Sequence, residues 1–130
     1  MNIPERFPDI EIYILNTTLE SILEWLGTQM SEVSSPIPQG AVLKLSAQFN
    51  NQNIPITITP EAAGKKFTSI IFDSDATPWA TDLDCAQAAF TFFETEVRCS
   101  ASSWVEDEAE DAPELWWKVN SQGEKKINWR

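Results

Sequence analysis

Oxygen-bearing side chains cluster at Asp73-Ser74-Asp75, where alternate carboxylates are typical of the start of a calcium-binding loop. A hard cation such as Ca²⁺ takes several carboxylate and carbonyl oxygens within one tight turn. Asp84 lies eleven residues after Asp73, at the position where such a loop closes. The sixth position, however, is Pro78 where the turn needs glycine, and the closing residue is Asp rather than the longer Glu. We therefore favour a turn that leads into a helix, with cation binding by the three aspartates as the alternative.

Few residues in this chain are suited to catalysis. It has 130 residues and no histidine, which excludes Ser-His and Cys-His nucleophilic pairs. Zinc sites of the usual kind cannot be assembled from two cysteines alone, and the four glycines are isolated rather than grouped around a phosphate. Acid–base catalysis needs two carboxylates at a fixed separation, and nothing in the spacing of the 20 acidic residues selects a pair. We predict no catalytic residue, no metal and no cofactor, and rank a carboxylate-based enzyme third among the functions considered.

Cys85 and Cys99 are the only cysteines and fall near the two ends of one predicted helix. A helix rises about 1.5 Å per residue, which would place them about 20 Å apart and too far for a disulfide. Two buried, inert thiols are the favoured interpretation. A reactive thiol at Cys99 is the alternative, because the adjacent Arg98 would favour the thiolate.

The chain contains six tryptophans, a residue type enriched where proteins bind partners. Trp117 is in phase with the apolar residues of a predicted strand and should face the core, which puts Trp116 on the opposite face beside Lys118. Trp79 lies in the loop before the second helix. Because neither phase nor loop position buries Trp79 or Trp116 automatically, we predict that these two are accessible binding residues. Core packing, or for Trp79 contact with the start of the second helix, is nevertheless the more frequent role for each tryptophan.

The formal net charge of −11 disfavours nucleic acid and anionic membranes as partners. Much of it lies in residues 105–114, and such a block of like charges most often forms a solvated loop. The functional alternative is a docking surface for a basic protein, because complementary charge accelerates association. Residues 118–130 carry four basic side chains and one acidic side chain, so the acidic stretch and the chain end could also attract each other. The predicted acidic binding residues are Glu106, Asp107, Glu108, Glu110 and Asp111.

Periodicity predicts the elements that must position these residues. Two apolar stripes with helical spacing predict helices over about 17–33 and 81–99, each beginning with a Thr followed by an acid three residues later. Pro55 cannot donate a ladder hydrogen bond, so its strand should bend or lie at an edge. The order β-α-β-β-β-α-β-β predicts one α+β domain over 1–130, with a largely antiparallel sheet of about five to six strands and two helices on one face. Period-two alternation places the strands at about 9–15, 43–49, 54–58, 67–72, 114–119 and 124–129.

Residues 1–9 contain no apolar stretch typical of a secretory signal, so we expect a cytoplasmic protein. The favoured function is non-enzymatic binding of a basic protein, in the manner of an immunity protein, an inhibitor or an adaptor. The alternative is a small-molecule-binding domain with an aromatic pocket on the open face of the sheet. There Trp79 and Trp116 would line the pocket, and Arg98 or Lys118 would orient an anion. A homodimer through an exposed strand edge is compatible with each function.

Overall fold

The computed structural model describes residues 7–63, 66–100 and 115–128. All the described strands pair into one antiparallel sheet with the order β2-β3-β4-β5-β1-β6-β7-β8. The predicted α+β class is confirmed, with more strands than expected. In chain order the elements are β1 (Ile10–Leu15), α1 (Leu19–Gln29), β2 (Ile37–Gln39), β3 (Val42–Phe49), β4 (Gln52–Ala63), β5 (Phe67–Phe72), α2 (Asp82–Phe93), β6 (Val97–Ser100), β7 (Leu115–Asn120) and β8 (Gly123–Asn128).

One apolar core joins both helices to the same face of the sheet. The alternate β1 residues Ile10, Ile12 and Ile14 are fully buried in a cluster that also contains Trp25 of α1 and Ala89 of α2. Because successive strand residues point to opposite faces, this alternation assigns the even-numbered positions of β1 to the helical side. The predicted packing of two helices on one face is confirmed.

A second, smaller apolar cluster lies on the opposite face of the sheet. It is formed by Tyr13, Phe67 and Trp116, with Leu15 and Ile127 packed against them. Tyr13 and Trp116 meet edge to face, with ring centroids 5.5 Å apart. The sheet is therefore apolar on both sides near β1.

The second helix is shorter than predicted, and its last residues form a strand instead. α2 ends where Glu94 adopts the left-handed conformation, with φ of 56°, and donates its backbone N–H to the carbonyl of Phe90. The chain then reverses, and β6 pairs with β1 and β7. Val97 is fully buried in β6. An apolar residue at that position fits both the spacing of an apolar helical stripe and the alternation of a strand. Periodicity therefore predicted a helix that is too long.

Pro55 lies in an internal strand, so the prediction of an edge strand is wrong. β4 pairs with β3 on one side and with β5 on the other. The Asp73 N–H donates to the Pro55 carbonyl at 2.9 Å, just beyond the last β5 residue, Phe72. The nitrogen of Pro55 points the same way, past the end of β5, so no ladder bond is lost there. The irregularity in β4 lies further along, at Glu61, where φ is 55° and the register with β5 shifts.

Threonine side chains cap both helices. Thr81 accepts a hydrogen bond from the Asp84 N–H at 3.2 Å, which confirms the predicted start of α2. In α1 the capping residue is Thr18, which accepts from the Ser21 N–H at 3.2 Å, rather than the predicted Thr17. Both caps satisfy one of the amide groups left without a helical partner in the first turn.

Candidate functional site

Trp79 is a core residue, and the prediction that it is accessible is wrong. Its side chain is 6% exposed and stacks on Trp25, with ring centroids 5.4 Å apart and planes 16° apart. Phe72 contacts it edge to face at 5.1 Å. Thr77 fixes the loop by donating its hydroxyl to the Trp79 carbonyl at 2.8 Å. The loop before α2 thereby turns the indole inward against α1.

Trp116 lies on the face predicted from its phase, opposite the helices, but it is only 4% exposed. Trp117 packs against the main core, as predicted. The accessibility predicted for Trp116 is wrong because Tyr13 and Phe67 pack around it. Trp79 and Trp116 therefore lie on opposite sides of the sheet, and no single pocket contains both.

Arg98 and Lys118 are neighbours on the face opposite the helices. They are directly paired across β6 and β7, and residues in such a pair share a face. The Arg98 guanidinium forms an ion pair with the Glu96 carboxylate at 2.6 Å and lies 4.9 Å from the centroid of the Phe67 ring. The two predicted cationic residues are thus brought together with Trp116 and separated from Trp79.

The other predicted acidic residues divide into two groups. Glu106, Asp107, Glu108, Glu110 and Asp111 lie outside the described residues. Asp73, Asp75 and Asp84 are exposed, and Asp84 lies in the first turn of α2. Within the ranges that the structure describes, no three His, Cys, Asp or Glu residues lie close enough together to hold a metal ion.

Four exposed carboxylates lie on the two helices or directly at a helix end. Glu20 and Glu24 project from α1, Asp84 from the first turn of α2, and Glu94 from the residue that ends α2. We call these four residues the acidic helical layer. The sequence carried a signal for it, because no Lys or Arg occurs between residues 7 and 43 or between residues 67 and 97. Only the fold shows that both uninterrupted stretches place a helix on the same side.

Several of these carboxylates occupy positions that local energetics disfavour. Glu20 and Glu24 are four residues apart on one helix, and like charges at this spacing repel each other by a few tenths of a kcal/mol. Glu94 lies at the negative end of the α2 dipole and in a left-handed conformation that suits glycine better. Neither helix has a basic residue in its last turn to compensate. The helix dipole favours Glu20 and Asp84 in the first turns, so local stability explains these two residues and leaves Glu24 and Glu94 unexplained.

Basic residues concentrate on the opposite face of the sheet. Strand register places Lys44, Arg98, Lys118 and Lys125 there, and Lys44 donates to the Thr57 hydroxyl at 3.0 Å. Lys126, on the helical side of β8, has its ammonium 5.2 Å from the centroid of the Trp117 ring. In the described part of the chain the charged side chains of the helices are all acidic, whereas most cations lie on the other face of the sheet together with Glu11 and Glu96.

Asp82, the first residue of α2, is a largely buried carboxylate that joins the helix to the sheet. Its Oδ1 accepts a hydrogen bond from the Glu11 backbone N–H of β1 at 3.2 Å. Burial raises the pKa of Asp82 from 3.8 to about 7, and the negative charges of Glu11 and Asp9 act in the same direction. The hydrogen bond from Glu11 opposes this shift without cancelling it.

The two cysteines are free and fully buried, which confirms that they are buried thiols and argues against the accessible thiolate that a reactive Cys99 requires. Burial raises the pKa of both thiols, and the carboxylate of Asp82 raises it further. The charge of Cys99 also raises the pKa of Cys85, so the two side chains are neighbours in the core. The predicted separation of about 20 Å is wrong because β6 folds back along α2.

Two shallow clefts are lined by described residues, and neither coincides with the predicted aromatic pocket. One, of about 340 Å³, lies between the β3–β4 turn and the loop before α2, and its lining includes Phe49, Asn50 and Asp75. The other, of about 310 Å³, lies between α2 and the β7–β8 hairpin. Both are at the small end of the range for ligand sites, about 300–1,000 Å³.

Comparison with known proteins gives no relative on which to base a function: no family model, no curated protein and no solved structure matches the chain significantly. None of the described helices is long and apolar enough to cross a membrane.

Proposed function

We propose that this protein binds a basic protein partner through its acidic helical layer and does so without catalysis. The observation that carries the proposal is the one-sided distribution of charge on the helices. Glu20, Glu24, Asp84 and Glu94 are exposed, whereas neither helix contains a lysine or an arginine. A surface of one sign attracts partners of the opposite sign and repels partners of the same sign.

The energetic cost of Glu24 and Glu94 supports a role in binding rather than in folding. Residues that break local rules without a compensating structural gain are expected mainly where function requires them. The Glu20–Glu24 repulsion and the left-handed Glu94 fit that description. A solubility role would be served equally by carboxylates at positions without such penalties, so the choice of positions favours a defined binding surface.

Affinity capture from a lysate of the source organism, with matched bait variants, tests the proposal. The first variant removes two charges from α1, as Glu20→Gln with Glu24→Gln. The second reaches the same net charge through Ile37→Lys with Gln39→Lys on β2, where both side chains are exposed and belong to the opposite face. We expect the wild type and the β2 variant to retain the same basic protein, and the α1 variant to lose it.

The partner should begin to elute within the first few hundred millimolar of salt. Salt screens the attraction between opposite charges, since the Debye length shortens as salt rises, to about 3 Å at 1 M. Equal retention by the α1 variant and the wild type would contradict the proposal. Retention of an acidic protein by all three baits would contradict it as well.

A further inference from the structure

The cleft between α2 and the β7–β8 hairpin has a shape that suits one side chain of a binding partner. Its volume of about 310 Å³ is at the lower limit for ligand sites, which leaves room for a side chain rather than a large cofactor. Gln87, Phe90 and Thr91 line it from α2, and Val119, Asn120 and Glu124 from the hairpin. The cleft therefore opens beside the same helix that carries Asp84 and Glu94.

The polar groups of the cleft favour a cation. Gln87 donates its side-chain amide to the Glu124 carboxylate, which leaves most of the acceptor capacity of that carboxylate unused. The Thr91 hydroxyl donates to the Gln87 carbonyl at 3.0 Å, and the Asn120 side-chain oxygen accepts from the Gln122 N–H at 2.9 Å. No basic side chain is among the described residues that line the cleft.

The end of α2 adds negative potential to the same place. Phe90 and Thr91 belong to its last turn, where the carbonyl groups form the negative end of the helix dipole. Glu94 follows one turn after Phe90 and contributes a full negative charge, and no basic residue in that turn neutralises either. A cation that enters the cleft thus meets the Glu124 carboxylate on one side and the helix terminus on the other.

The apolar wall selects among cations. Phe90 is half-buried and Val119 is 3% exposed, so the wall would pack against a hydrocarbon stem. A guanidinium is planar and stacks on aromatic rings, and its fork of donors matches a carboxylate better than a compact ammonium does. The chain already contains one such contact, between Arg98 and the Phe67 ring.

We propose that this cleft holds an arginine side chain of the basic partner, with the guanidinium on Glu124 and the stem against Phe90 and Val119. The inference rests on the proposed function and adds to it a specific contact within the charged surface. The helical layer would then attract the partner, and the cleft would fix its position.

An NMR titration of the full-length protein with N-acetyl-arginine amide tests the cleft directly. We expect the amide signals of Thr91, Asn120 and Gly123 to shift in the millimolar range. N-acetyl-citrulline amide, which has nearly the same shape and no charge, should shift them far less. Glu124→Gln should weaken arginine binding about tenfold, because the guanidinium loses its charged acceptor. Glu124 is exposed, so this variant should remain folded.

Equal shifts with arginine and citrulline, or no shift of these three amides, would overturn the inference. Binding of the captured partner to the variants then tests the cleft and the proposed function separately. If Glu124→Gln binds it as tightly as the wild type while Glu20→Gln with Glu24→Gln does not, the cleft is wrong and the proposed function stands. If neither variant weakens binding, the proposed function fails.

Discussion

At the scale of single residues, Asp82 links the start of α2 to the middle of the sheet. Its carboxylate accepts a hydrogen bond from the backbone N–H of Glu11 in β1. Leaving that N–H unpaired would carry a penalty of about 1–3 kcal/mol. The same position buries a charge near Glu11 and Asp9, and burial raises the pKa of Asp82 to about 7. The fold is therefore most stable when Asp82 is protonated, because the cost of burying its charge outweighs the hydrogen bond from Glu11, which favours the charged form.

This shift predicts a pH dependence that belongs to Asp82. Between about pH 4 and pH 7 the folded protein binds a proton that the unfolded chain has already lost, so the free energy of unfolding falls as pH rises. Asp82→Asn keeps an oxygen acceptor for Glu11 and should remove this contribution. Urea denaturation at pH 5 and pH 8 measures it.

Asp84→Asn is the matched control, since it changes the same charge at an exposed position in the same helical turn. We expect this variant to retain the pH dependence of the wild type. If Asp82→Asn and Asp84→Asn lose stability equally between pH 5 and pH 8, the assignment to Asp82 is wrong.

Trp79 makes a second prediction at this scale. Its ring packs on Trp25 and Phe72, so Trp79→Ala should lower the free energy of unfolding by about 3–5 kcal/mol. Trp117→Ala, at a half-buried position, is expected to cost less. Far-UV circular dichroism during urea denaturation compares them without relying on tryptophan fluorescence. A loss below 1 kcal/mol for Trp79→Ala would show that its packing contributes little.

At the scale of elements, periodicity located most strands and both helices, and it failed where packing decides. Val97 and Cys99 have the spacing of a continued helical stripe, and no Gly or Pro near Glu94 indicates that the helix ends there. β2 has only three residues, Ile37–Gln39, with prolines on either side of Ile37, so it shows no alternation. Pro55 predicted an edge strand, because the sequence does not show that β5 ends beside Pro55 and leaves its nitrogen without a strand partner to lose.

The candidate site was less predictable than the fold. The burial of Trp79 depends on Trp25, which is more than 50 residues away in the chain. Nothing local to Trp116 indicates that Tyr13 and Phe67 will surround it. The lack of basic residues in both helices is visible in the sequence, but their location on one side of the sheet is a property of the fold.

The end of α2 gives a prediction at the element scale. Glu94 has φ of 56°, a conformation that costs residues with a side chain about 1 kcal/mol relative to glycine. Glu94→Gly should therefore raise the free energy of unfolding relative to Glu94→Ala, which removes the same charge without relieving the backbone. Thermal denaturation of both variants measures the difference. Equal melting temperatures would mean that the left-handed conformation carries no penalty here.

At the scale of the whole molecule, the sheet separates two surfaces of different charge. The helices present carboxylates only, whereas Lys44, Arg98, Lys118 and Lys125 lie on the other face in the described part of the chain. The net charge of −11 alone would predict attraction of cations to the molecule in general. The fold adds a location to this expectation: cations should be attracted most strongly to the helical side of the sheet.

An NMR titration with nona-arginine at low salt tests that claim most directly. We predict that, among the described residues, the largest amide shifts occur at Glu20, Glu24, Asp84 and Glu94, and that they disappear in high salt as the charges are screened. Shifts that are largest on the face of Lys44 and Lys118, or that leave both helices unchanged, would contradict the assignment of the acidic helical layer as the binding surface.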